Sequence, residues 1–178
     1  MVLNFLEYLL RKTAAYETNI RNKTSSSYSD LLETRYITIG LEVSASGILP
    51  PDSSVINYLI TPLNTFMNLG SIVVAFDNDL ASAPKEMGEE TGEASPSNPF
   101  FSIKKKEGKG DMEAVRQVLH RKNAIVTCME DQMSMIPSSW RPAYHNIFKY
   151  VIAFCEYSYV LGHAHPNTRY GFMWNETK

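Results

Sequence analysis

Apolar residues Phe5, Leu6, Leu9, Leu10 and Tyr16 recur at helical spacing among charged neighbours, predicting an amphipathic helix from Asn4 to about Asn22. Thr24 to Ser27 supply turn and cap chemistry. A second helix is expected to begin near Ser27 to Ser29, run past Ile39-Gly40 into Val43, and stop before Gly47 and Pro50-Pro51. Asp52 to Ser54 are caps for a third, long helix from about Val55 to Met87, in which Pro62 and Pro84 each remove a backbone donor and should bend the axis. Gly88 to Asp111 is rich in Gly, Pro, Ser, Glu and Lys with almost no periodicity, and reads as a long mobile loop. Glu113 to about Met135 predicts a fourth helix, and Pro137-Ser138-Ser139 caps a fifth, aromatic-rich one reaching about His163. The tail from His165 to Lys178 is expected to be irregular or a short helical turn. With no repeats and no strand-like alternation, the expectation is an all-α helical bundle, a single domain over 1–178.

Composition changes this picture little. The chain has 178 residues, 44% of them hydrophobic, and a formal net charge of -2, the profile of an ordinary folded domain. Nucleic-acid binding is not expected, because that mode needs a concentrated basic face and Lys104-Lys105-Lys106 is only a local cluster in the expected loop. Cys128 and Cys155 both fall in apolar helical patterns and are expected to be reduced core residues. No apolar run approaches the ~18 residues that cross a bilayer, and Met1 to Glu7 lacks the features of a secretory signal, so a cytoplasmic protein without a membrane segment is expected.

The most informative chemistry lies between Asn78 and Glu86. On a helix, positions 78, 82 and 86 fan over only about 80° and rise about 12 Å, so Asn78, Ser82 and Glu86 place an amide, a hydroxyl and a carboxylate on one face. Three hard oxygen donors so placed suit one Mg²⁺ shared with a substrate's phosphates. A solvated polar stripe is the alternative for such a pattern. The apolar run Ser71 to Phe76 leading into Asp77-Asn78-Asp79 argues instead for burial.

This motif and its surroundings resemble the class I terpene synthases, in particular the fungal and bacterial sesquiterpene cyclases. Their second metal-binding signature, Asn-Asp-x-x-Ser-x-x-x-Glu with Lys commonly before the Glu, is matched in order by Asn78, Asp79, Ser82, Lys85 and Glu86. Upstream, Tyr28 to Gly40 is similar to the family's segment with a diphosphate-sensing Arg, here Arg35; downstream, Arg169-Tyr170 is similar to its near-terminal Arg-Tyr pair. The resemblance covers the whole chain but only the C-terminal half of the family pattern, because no Asp-rich motif of the family's first type is present.

The resemblance implies a Mg²⁺-dependent cyclase that ionises a prenyl diphosphate, farnesyl diphosphate above all, and cyclises the carbocation to a sesquiterpene. By the same resemblance Asn78, Ser82 and Glu86 would hold one of three Mg²⁺ ions, while Arg35, Lys85, Arg169 and Tyr170 would grip the diphosphate. Val74, Ser71, Met67 and Asn64 share the face of Asn78 and are candidates for the pocket floor, with ordinary helix packing at least as good a reading; Phe148, Tyr150, Phe154, Tyr157 and Tyr159 are candidates for aromatic faces towards a cation, though such a stripe is more often core. His163 and His165 are read as helix-end residues, and Pro84 should disturb the turn that aims Glu86. The alternative function is a non-catalytic helical protein that binds a prenyl diphosphate or pairs with another subunit, and the partners expected are the prenyl diphosphate and either a partner chain or a missing N-terminal half. Prenyl chain elongation fits less well, because that chemistry uses two Asp-rich motifs.

Overall fold

The computed structural model describes residues 11, 14, 18, 32, 62–88 and 98–164, with the side chains of Lys85, Gly88 and residues 159–164 excepted. Four helices run through this part: α1 (Pro62–Gly88), α2 (Pro99–Glu107), α3 (Asp111–Met135) and α4 (Arg141–Ala164). The described residues contain no strand, in keeping with the all-α expectation. Arg11, Ala14, Thr18 and Leu32 are helical; the remainder of the first two expected helices, the start of the third before Pro62, and the tail from His165 lie outside the described residues.

α1 is the central element and packs on α4, α3 and α2. Its apolar residues divide between two clusters. Leu63, Phe66, Met67, Val73 and Val74 meet Tyr144, Ile147, Val151 and Cys155 of α4 and Met129 of α3. Phe66 and Tyr144 anchor this cluster with ring centroids 4.9 Å apart. Further along, Phe76, Leu80 and Ala83 meet Phe100 and Ile103 of α2 and Ala114, Val115 and Val118 of α3, with Leu32 packed against them. Each large apolar side chain removed from water here contributes about 1.5–3 kcal/mol, so α1 is held chiefly by burial on two of its faces.

α2 corrects the second half of the sequence-based expectation of a loop through residues 88–111, of which 89–97 lie outside the described residues. Its start is built by Asn98, whose Oδ1 accepts the Phe100 N–H at 2.9 Å, and by Pro99, which has no N–H to leave unsatisfied in the first turn. Gly108, at φ 64, ends it in the left-handed conformation that glycine adopts without steric cost. Phe100 and Ile103 bury the one apolar face of this helix, while Lys105 and Lys106 stay exposed and Lys104 pairs with Asp111. The Lys cluster therefore decorates a helix end, where cations suit the helix dipole.

α3 begins at Asp111, two residues before the expected Glu113, and ends where Ile136 is extended ahead of Pro137. The chain then turns, with the Trp140 N–H donating to Pro137 O at 2.9 Å, and α4 starts at Arg141. Two further expectations fail. Cys128 is exposed rather than in the core, its sulfur accepting from Gln132 Nε2, whereas Cys155 is buried as expected. Tyr157 is exposed, although Phe148, Tyr150 and Phe154 do pack against the first cluster.

Candidate functional site

The polar face of α1 is buried. Asn78 is 7% exposed and Ser82 1%, with Glu86 half-buried at the lower edge. The helix is unbroken through Pro84, and Glu86 is aimed back along it, so that Ser82 Oγ donates to Glu86 Oε1 at 2.7 Å. Ser82 Oγ also lies 3.3 Å from Asp79 O; having one proton, the hydroxyl gives it to the nearer, charged acceptor. Asn78 Nδ2 donates weakly to Asp79 Oδ1 at 3.4 Å.

A residue that sequence reasoning missed completes this cluster. Asn98 donates from Nδ2 to Glu86 Oε2 at 3.2 Å and to Asp79 O at 3.0 Å, and is itself buried. Both oxygens of Glu86 thus receive a neutral donor, and among the described residues the carboxylate has no ion-pair partner. The Asn-Pro pair at 98–99 is the signal that marks a helix start, but its contact with Glu86 is tertiary.

The same face of α1 continues towards its N-terminal end. Asn64, Asn68, Ser71, Asn78, Ser82 and Glu86 all fall within about 80° of one another around the axis. Asn68 Oδ1 and Ser71 Oγ are buried and find no hydrogen-bond partner among the described residues. Each such orphaned group costs about 1–3 kcal/mol, which a bound polar species would relieve. Met67 and Val74, expected with Ser71 and Asn64 as pocket floor, belong to the apolar cluster with α4.

Asp77 faces another way. Fully buried, its carboxylate takes Lys122 Nζ of α3 at 2.8 Å and 3.1 Å, and it also bonds the Cys155 thiol of α4. Burial, then the Asp77 charge and that hydrogen bond, push the Cys155 thiol far above the ordinary thiol range. These residues tie three helices together beside the polar face; the burial of Asp77 and Cys155 is legible in the sequence, but Lys122 as the partner of Asp77 is not.

Two of the three oxygens, those of Ser82 and Glu86, stand at a separation that a Mg²⁺ ion could use. Adjacent ligands of an octahedral Mg²⁺ sit about 2.9 Å apart, given metal–oxygen distances of about 2.0–2.1 Å. The Ser82 and Glu86 oxygens are already 2.7 Å from each other. Among the described residues no group of three or more His, Cys, Asp and Glu side chains gathers, so the donor set is one carboxylate with neutral oxygens, suited to an ion that a polyanionic ligand helps to hold. Lys85 lies in α1 with its side chain outside the description, and Arg35, Arg169 and Tyr170 lie outside the described residues. A cavity of about 750 Å³ opens elsewhere, between Pro62, Thr65, Ile136, Trp140 and Tyr144. It is some 26 Å along α1 from Ser82, too far to share a small ligand with Glu86.

No family model, curated protein or solved structure matches the chain. No described helix is long and apolar enough to cross a membrane.

Proposed function

We propose that the chain acts on a prenyl diphosphate as a Mg²⁺-dependent terpene cyclase of the class I type, with farnesyl diphosphate as substrate. The observation that supports this most directly is the face on which Asn78 and Ser82 are buried and Glu86 half-buried, with Ser82 and Glu86 already in contact. Bound Mg²⁺ would supply Lewis-acid stabilisation of the charge on the departing diphosphate. Asn78 and Ser82 would offer neutral oxygens and Glu86 the charged one, all from a helix that is rigid because two of its faces are packed. Lys85, Arg35, Arg169 and Tyr170 would bind the diphosphate oxygens, as the resemblance to terpene synthases implies. The apolar wall beside this face would exclude water from a hydrocarbon cation.

A second reading, binding of a prenyl diphosphate without turnover, is favoured by the single carboxylate in the assigned donor set. One experiment separates the two. The chain is incubated with Mg²⁺ and farnesyl diphosphate, volatile products are analysed by gas chromatography and mass spectrometry, and Asn78→Ala and Glu86→Ala serve as controls. Sesquiterpene formation lost in both variants supports the cyclase. Mg²⁺-dependent retention of the diphosphate without product supports the binder, and product insensitive to both substitutions removes the assigned role of this face.

A further inference from the structure

We infer that Asn98, at the start of α2, is a positioning residue of the metal site, its amide NH₂ holding the Glu86 carboxylate against Ser82 across the turn that Pro84 weakens. The inference rests on the metal reading above and adds a residue from outside the motif. Asn98 is 2% exposed, with Nδ2 3.0 Å from Asp79 O and 3.2 Å from Glu86 Oε2, and Oδ1 2.9 Å from Phe100 N. These partners dictate the orientation of the amide: the Phe100 N–H needs an acceptor, while the Asp79 carbonyl and the Glu86 carboxylate need donors, so a flipped side chain would lose all three bonds. Asn98 therefore shows Glu86 hydrogens and not lone pairs. It holds the ligand and is not itself one.

The need for such a holder comes from Pro84. Without an N–H, Pro84 leaves the Leu80 carbonyl with no partner one turn on, and its ring crowds that carbonyl. Glu86 lies just beyond this weakened turn. One amide hydrogen of Asn98 reaches the carbonyl of Asp79 on the near side, and the second reaches Glu86 on the far side. One buried side chain from a different helix thus spans the break. With one oxygen on Ser82 and the other on Asn98, the carboxylate is oriented before any ion arrives, and partners that orient a metal ligand in this way are commonly worth about 10–100-fold in metal affinity.

The test is Mn²⁺ affinity of the full chain, read by electron paramagnetic resonance with inorganic pyrophosphate present, for the unaltered protein, Asn98→Ser and Glu86→Ala. Serine keeps a cap for Phe100 N but has no NH₂ to offer Glu86. Asn98→Ser is expected to weaken Mn²⁺ binding about tenfold with an unchanged circular dichroism spectrum, and Glu86→Ala to weaken it further. Unchanged affinity in Asn98→Ser, with Glu86→Ala weakened, overturns the role of Asn98 and leaves the metal site standing. Unchanged affinity in both overturns the metal reading and this inference with it, and weakening in Asn98→Ser alone shows that Asn98 does not act through Glu86. Should Asn98→Ser not fold, the unaltered protein decides: Mn²⁺ must broaden the side-chain NH₂ resonances of Asn98, and sharp resonances at saturating Mn²⁺ overturn the inference.

Discussion

Asp77 and Glu86 are nine residues apart on one helix, which puts them on opposite sides of it. They are held in opposite ways. Asp77 is fully buried and neutralised by Lys122, with Cys155 against it, so its charge is spent inside the protein on joining α1, α3 and α4. Glu86 is only half-buried and receives a hydroxyl and an amide, neither of which cancels its charge. A carboxylate paired with a buried cation has little left to offer a ligand. One braced by neutral donors is oriented without being paired to a cation among the described residues, and that difference is why we propose Glu86 rather than Asp77 as the ligand of a metal ion.

Breaking the Asp77 side should show in stability alone. Lys122→Met takes the Lys122 cation from a buried carboxylate and is expected to cost about 3–5 kcal/mol in urea unfolding. Asp77→Asn combined with Lys122→Met removes the charge on both sides of the pair and should be at least about 2 kcal/mol more stable than Lys122→Met alone. If the double variant is the less stable of the two, the pair contributes through packing and not through charge. Glu86→Ala should show the reverse profile, with Mn²⁺ affinity in the presence of pyrophosphate down at least about tenfold and unfolding free energy changed by less than about 1 kcal/mol.

The smallest effect is a pH dependence. The folded protein keeps the Cys155 proton above the ordinary thiol range, while the unfolded chain releases it there. The folded state then binds more protons, so this residue's contribution to stability is constant below the ordinary thiol range and falls as pH rises above it, by at most about 1.4 kcal/mol per pH unit. Cys155→Ala should lack that fall when unfolding is followed from neutral to alkaline pH. An identical alkaline slope in both proteins would contradict the burial of the thiol proton against Asp77.

How far these features could be read in advance depended on whether they were local. The span of α3 is legible in its periodicity, missed by only two residues at its start, and the burial of Asp77 to Asp79 follows from the apolar run ahead of them. The ladder at 78, 82 and 86 is a helical spacing and needs no partner to be seen. α2 was hidden by its neighbourhood: Gly, Pro, Ser and three lysines outweighed a nine-residue helix whose start at Asn98-Pro99 and stop at Gly108 are both written in the chain. Cys128 lay in an apolar pattern but on the outer side of α3, because one strand of periodicity does not say which flank of a helix a neighbour covers. Lys122 and Asn98 were beyond reach for a firmer reason. They meet Asp77 and Glu86 across separations of 45 and 12 residues, and a lone lysine or asparagine carries no mark of its distant acceptor.

The bond between Glu86 and Asn98 also closes the chain on itself, pinning both ends of the stretch from 87 to 97 to one point. The last turn of α1 and the first turn of α2 are thereby fastened to each other through side chains, so a change at either anchor is felt at two helix ends at once.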